Sequence, residues 1–231
     1  MSIIYINPYQ FAAAGPTDPD FANVSLLLHG DGTNGSTTII DSSPSPKTVT
    51  AVGDAQISTA QSKFGGASLA FDGSGDYLTI PPSVNMSLGT ADFTIELWAR
   101  FNTATSNGLF QLSSGYLNSQ VRGPAAGGTN GGFWGIYHGT SFLQSNQVPS
   151  VNTWHHVAYV RSSGITKLYV DGVQLISVSD STNYADQYFT IGGWYSNINL
   201  LNGYIDDFRI TKGVARYTSN FTPPTAPFPD A

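Results

Sequence analysis

The chain has 231 residues and a formal charge of -6. Charged residues make up only 10% of it, and its single glutamate is Glu96, which leaves too few helix-favouring surface residues for a helical bundle. Hydrophobics at 40% exclude a disordered chain, and nine Lys and Arg on an acidic chain exclude non-specific nucleic-acid binding through counterion release. Cysteine is absent, so there is no disulfide framework and no thiolate site. No apolar run approaches the roughly 18 residues of a membrane helix, and no membrane insertion is expected. Residues 1–11 lack the basic start and continuous apolar stretch of a signal peptide. Synthesis in the cytoplasm of the producing cell is therefore expected.

Residues 1–24 read as an N-terminal extension, with a strand candidate at 3–6 and a turn-rich stretch at 15–20. Such segments dock on a neighbour or stay mobile. Short strand signals follow at 25–29, 68–71, 76–80 and 93–98, then at 154–161, 167–170, 173–178, 188–191 and 203–210. Period 2 dominates, and only one helical turn, near 82–88, is expected. Asp171-Gly172 is the strongest hairpin signal. Four prolines mark 223–231 as an extended tail that cannot continue a central strand. Repeated short strands with Gly and Asn turns predict an all-β sandwich or barrel over residues 25–222.

Several segments carry a family signature. The run from Lys63 to Leu78, KFGGASLAFDGSGDYL, is followed by Asp92 to Trp98, DFTIELW. Trp154 to Ala158, Leu168 to Gly172 and Gly203 to Ile210 follow in order: WHHVA, LYVDG and GYIDDFRI. Together they resemble the laminin G-like, concanavalin A-like jelly rolls, which implies two antiparallel sheets packed face to face. Trp98, Trp154 and Phe208 are expected to fill the space between them. The run from Lys212 to Tyr217, with Phe221 to Pro224 behind it, resembles the version found in bacteriophage virion surface proteins.

No catalytic residue is assigned. Laminarinase relatives of this fold carry Glu-x-Asp-x-x-Glu on one strand. Here Glu96 lies between Thr94 and Trp98, and the motif is missing. Glu96 is expected to pair with Arg100 or Arg209, or to face solvent. His155 and His156 point to opposite faces of their strand and cannot share a metal. Asp206 alternates with Phe208 and Ile210; if that face is the core, Asp206 points inward. The resemblance implies a structural Ca²⁺ held by Asp206 and by the 29–31 segment, through carbonyls or the Asp31 carboxylate. The alternative leaves Asp206 bonded to backbone or tyrosine, and Asp31 as a turn residue. Candidate ligand-binding residues are Tyr116 and Arg122 in the loop 115–132, with Trp194, Tyr195 and Asn197 in the loop 192–202.

The resulting expectation is a non-enzymatic virion surface protein: a capsid decoration, head fibre or tail-fibre adhesin. It would be held to viral shell or tail proteins through residues 1–24, be present as a homo-oligomer or in several copies, and display a jelly roll that binds host cell-surface glycans. A free carbohydrate-binding lectin is the alternative. A divergent glycoside hydrolase is the third reading.

Overall fold

The computed structural model describes residues 17–103, 108–112, 120–122, 133–138, 141–185, 188–193 and 199–231. These form fifteen strands and one short 3-10 turn, Phe21–Asn23. The strands begin with β1 (Val24–Leu28), β2 (Thr50–Val52), β3 (Gln56–Ser58), β4 (Ser68–Asp72) and β5 (Tyr77–Ile80). The middle of the chain forms β6 (Phe93–Phe101), β7 (Gly108–Leu112), β8 (Gln120–Arg122), β9 (Gly135–His138) and β10 (Ser141–Gln144). Then come β11 (Trp154–Ser162), β12 (Ile165–Val170), β13 (Val173–Ser179), β14 (Phe189–Ile191) and β15 (Asn202–Lys212). At 82–88, where one helical turn is expected, the Met86 and Ser87 N–H groups both donate to the Ser83 carbonyl, closing a single turn that does not extend into a helix.

The strands pair antiparallel in two sheets, as the resemblance to concanavalin A-like jelly rolls implies. One runs β13-β12-β11-β6-β15-β4-β3, with β1 also paired to β15; the other runs β10-β9-β8-β7-β14-β5-β2. One side of β6 (Phe93, Ile95, Leu97, Ala99, Phe101) joins Phe208 and Ile210 of β15 against Phe110, Phe189 and Ile191 of the second sheet. Phe110 stacks on Phe189 at 5.7 Å and meets Phe208 edge-on at 6.0 Å. Burying each such side chain contributes about 1.5–3 kcal/mol, and ring pairs add about 0.5–1.5 kcal/mol.

Phe208 fills the inter-sheet space as expected. Trp98 and Trp154 do not: Trp98 pairs with His156, and Trp154 with Arg100, on the other side of the eight-stranded sheet. Among the described residues the tryptophan of the core is Trp134, edge-on to Phe101 at 5.5 Å. Asp206 also leaves the core face. Alternation breaks between Asp206 and Arg209, where Asp207 takes φ 49°. This bulge lets Ile205 and Phe208 both face inward and puts Asp206 opposite Trp98.

The outer face of the eight-stranded sheet is half roofed by the chain's own ends. Ala215, Tyr217 and Phe221 cover Ala158, Val160 and Tyr169, while Phe228 packs with Val24 and Leu27. Beneath this roof Glu96 is fully buried. One of its oxygens accepts from Arg209 Nε at 3.1 Å and Nη2 at 2.7 Å; the other accepts from the Tyr217 hydroxyl at 2.8 Å. Asp18 accepts from Arg209 Nη1 at 2.9 Å and from Arg216 Nη2 at 2.6 Å. The Arg209 guanidinium lies 4.0 Å over the Phe228 ring. Burial would raise the Glu96 carboxyl, but the Arg209 charge and His156 outweigh it and hold it at about 2. Residues 17–23 of the predicted extension and the segment after β15 are thus pinned to the sheet by charge.

Asp206 pins a second roof. Its Oδ2 accepts the backbone N–H groups of Lys63 at 2.6 Å and Phe64 at 3.1 Å. The Phe64 ring then meets Trp98 edge-on at 5.9 Å, with Lys63 Nζ 3.9 Å over the indole. Burial pushes the Asp206 carboxyl up to about 7, against these N–H donors and with help from Asp207 and Asp31.

Removing one partner of a buried ion pair leaves the other charge stranded. Glu96→Gln is therefore expected to cost about 3–5 kcal/mol in urea denaturation and to open residues 213–231 to protease; an unchanged midpoint would refute the pinning role. Asp206 supplies a pH signature. A carboxyl raised on folding binds its proton more tightly in the folded state. Its contribution is full below the unfolded value of 3.8 and is lost as pH rises through about 7. Stability is expected to gain up to roughly 4 kcal/mol between about pH 8 and pH 4 from this group. The depressed Glu96 works in the opposite sense, and its contribution falls away as pH drops from 4.5 towards about 2. Asp206→Asn should flatten the first limb in thermal melts and leave the second in place.

Candidate functional site

Half of the outer face of the eight-stranded sheet stays open. One register row crosses it: Gln56 on β3, Ala70 on β4, Tyr204 on β15, Arg100 on β6 and Trp154 on β11. Every member is half-buried, whereas Asp206, Trp98 and His156 of the adjacent row are buried under the roofs. The row exists because strands whose inward residues are apolar put their alternate residues outside. Gly203 brings β15 close to β6 beside it, since a Cβ there would run into the Arg100 carbonyl.

The β3 end of this row opens into a groove of about 790 Å³. Tyr204, Ala70 and Gln56 belong to both, and Asn102, Asn202, Thr37, Asp54 and Asp72 line its walls. Asn102 donates to Asn202 Oδ1 at 3.1 Å and accepts from Arg100 Nη1 at 2.9 Å. The Arg100 guanidinium carbon sits 5.7 Å from the Tyr204 ring centre. At the rim, buried Asp76 accepts from Asp72 N–H at 3.0 Å and Asp54 N–H at 2.6 Å. Burial pushes the Asp76 carboxyl up, against these two donors. Asp76 thus ties the hairpin after β4 to the turn after β2, and the groove spans the edge between the sheets. Gly53 is required at that turn: its φ is 69°, and a Cβ would collide with Asp76. A ring face, planar amides and carboxylate acceptors converge here. That is chemistry suited to stacking on C–H surfaces and accepting hydroxyl protons.

Among the five predicted ligand residues, Tyr116, Trp194, Tyr195 and Asn197 lie outside the described residues. Arg122 ends β8, opposite Gly108 and Gly135, so a strand crosses the segment 115–132 that the sequence reads as a loop. The second sheet carries its own outward row, with Thr50, Thr79, Thr190, Gln111 and Tyr137 in register positions running to Phe142. Thr190 and Gln111 are buried there, and the Tyr137 and Phe142 rings lie 4.8 Å apart.

The predicted metal residues lie near the β15 bulge. Asp31 sits against Gly65, at the place a Cβ would occupy. Burial raises its carboxyl, and His29 counters that. Asp207 is engaged by His29 Nδ1 at 2.6 Å and Phe228 N–H at 2.7 Å. The Asp31 charge helps to raise the Asp206 carboxyl, but among the described residues no group of three or more His, Cys, Asp or Glu is arranged to hold a metal ion. Glu96 bonds Arg209, one of the two expected partners; Arg100 bonds Asn102 instead. His155 and His156 face opposite sides, as expected. His155 Nδ1 meets Asp171 at 2.7 Å, while the His156 ring packs on Trp98 at 5.2 Å.

Sequence reasoning missed the open row. Its signal was the polar or aromatic residue at each outward position of a core strand: Arg100 beside Ala99 and Phe101, Tyr204 beside Ile205.

No curated protein matches the chain. Among solved structures, domain 4 of AbnA, a GH43 extracellular arabinanase from Geobacillus stearothermophilus solved with arabinotriose, is similar at 19% identity and TM-score 0.61, over 84% of this chain and 94% of that one. The botulinum neurotoxin serotype C1 binding domain is similar at 15% identity and TM-score 0.59, over 84% of this chain. The binding domain of botulinum neurotoxin DC, in complex with SialylT, matches at 15% identity and TM-score 0.59 over 91% of this chain. This chain spans half the length of each toxin domain. At these identities the likeness shows the fold. Residues 72–216, with the two-sheet topology around them, match the concanavalin A-like lectin/glucanases superfamily, and the chain belongs to that superfamily.

Proposed function

We propose that this jelly roll is a non-enzymatic glycan-binding module whose binding surface is the open row and its groove. The observation that carries the reading is the half-roofed face. Tyr204, Gln56, Asn102 and Asn202 stay open while the adjoining row is sealed. Sugars are recognised by a ring face beneath their C–H surface and by amides and carboxylates around their hydroxyls. Support comes from fold relatives whose structures hold arabinotriose and SialylT. On a glycan array, Tyr204→Ala is expected to lose about tenfold or more in affinity with an unchanged melting temperature. Full binding by this variant would exclude the site, and release of reducing sugar would exclude the non-enzymatic part.

The same reading places the module on a virion surface in several copies. Residues 1–24 would lead to a shell or tail protein, and synthesis would take place in the host cytoplasm. The resemblance of residues 212–224 to bacteriophage virion proteins supports it. Electron microscopy of particles lacking the protein is expected to show lost surface density; unchanged particles would refute the placement.

Calcium belongs to this reading through Asp31 and Asp206. The two carboxylates are hard oxygen donors, and a divalent cation would offset the charge that burial and Asp207 make costly at Asp206. Chelated protein is expected to melt higher on adding Ca²⁺ at about pH 8, and Asp206→Asn to abolish the rise. No rise in the parent protein would remove calcium from the account.

A further inference from the structure

We infer that the open row takes an uncharged glycan chain lying across the strands from the groove to Trp154, and that its charge turns acidic glycans away. This rests on the reading of the row as the glycan site and names the ligand class.

The span follows from the register. Tyr204 and Trp154 are two strands apart, with Arg100 between them. Neighbouring strands are about 4.8 Å apart, so the backbones that carry the two rings stand about 10 Å apart, and Gln56 to Trp154 covers about 19 Å. One sugar ring cannot touch both ends of such a strip. Direction follows from the roofs. On one side Phe64 and Lys63 cover Trp98, and residues 213–231 cover the rows beyond. A chain running along the strands would meet them, whereas a chain running across the strands follows half-buried residues throughout.

Charge decides the class. Asp54, Asp72 and Asp76 line the groove, and no Lys, Arg or His does so among the described residues. Arg100, the cation of the row, already donates to Asn102 and lies beside the Tyr204 ring. Lys63 lies over Trp98, in the next row. A sialic or uronic acid in the groove would lose water and meet carboxylates in place of a cation. The acceptors of the wall, two exposed carboxylates and the amide oxygens, suit a ligand that donates many hydroxyl protons. Neutral sugars do that without bringing negative charge.

The test uses the full chain, with neutral malto-, cello- and chito-oligosaccharides from dimer to hexamer and oligogalacturonates as the acidic arm, read by calorimetry. Neutral trimers and longer chains are expected to bind, and oligogalacturonates to bind at least about tenfold more weakly. Trp154→Ala should weaken long oligomers about tenfold while leaving dimers unchanged, with Trp154→Phe restoring most of the loss. Asp54→Asn with Asp72→Asn should narrow the gap between neutral and acidic chains. Acidic chains binding as well as neutral ones, still sensitive to Tyr204→Ala, would overturn the ligand class and keep the site. Equal loss for dimers and hexamers in Trp154→Ala would overturn the extended footprint. Binding indifferent to Tyr204→Ala, or no binding of any oligosaccharide, would overturn the glycan site itself.

Discussion

Glu96 cannot lie under a protein roof as a bare anion; burying an unpaired carboxylate costs several kcal/mol. Its charge is matched by Arg209 directly, and Arg209 and Arg216 are matched in turn by Asp18. The network therefore needs three parts of the chain at once: the middle of β6, the end of β15 with the tail beyond it, and residue 18. Tyr217 adds its hydroxyl to Glu96 and its ring to Phe221, stacked at 3.6 Å. Apolar residues under the tail gain burial only when it lies down, and the tail lies down only where the charges close. The position of the roof, and so of the open strip, follows from where this one glutamate stands.

The bulge in β15 does related work. A regular strand would carry Asp206 into the core beside Phe208, which the core cannot accept. The positive φ at Asp207 turns that carboxylate outward while keeping Ile205 and Phe208 inward. It also lets two strands share one edge of β15: β4 pairs with Gly203 and its neighbours, β1 with Phe208 to Thr211. Asp206 faces the gap where neither strand supplies a pair, and there it holds Lys63 and Phe64. One irregular residue thus joins two strands, gathers a loop and sets the edge of the open face.

The sequence is most legible where apolar and polar residues alternate or a turn dipeptide stands between strands. β6 shows this in its sequence, where Phe93, Ile95 and Leu97 alternate with Thr94 and Glu96, and the Asp171-Gly172 turn has positive φ at both residues, as its dipeptide predicts. Those segments point to a sandwich or barrel, and the resemblance implies the two sheets; the order of strands within each sheet comes from the pairing alone. β7, in contrast, is buried at every position, so Gly-Leu-Phe-Gln-Leu carries no period, and β2, β3 and β8 are three residues each. The faces of Trp98 and Trp154 were misread because aromatic size suggests a core, while the paired register shows the outside. The site was the least legible part. Its residues lie on five different stretches of chain, and their neighbourhood depends on strand pairing and on which half of the face the tail covers. Four of the five loop residues expected to bind ligand lie outside the described residues.

That the tail covers only half the sheet has a physical reason in the residues of the other half. Ala158, Val160 and Tyr169 need a cover, and Ala215, Tyr217 and Phe221 supply it. Tyr204, Arg100 and Gln56 do not need one. Each is half-buried, the partial cover that long amphipathic side chains give to apolar surface. The strip can therefore remain open in the absence of ligand at little cost to folding, and its residues stand on the same rigid strands that build the core. A ligand proposed to lie on the row would meet strand residues already in place. The entropy that ligand-ordered loops lose on binding has largely been lost already when the sandwich folds.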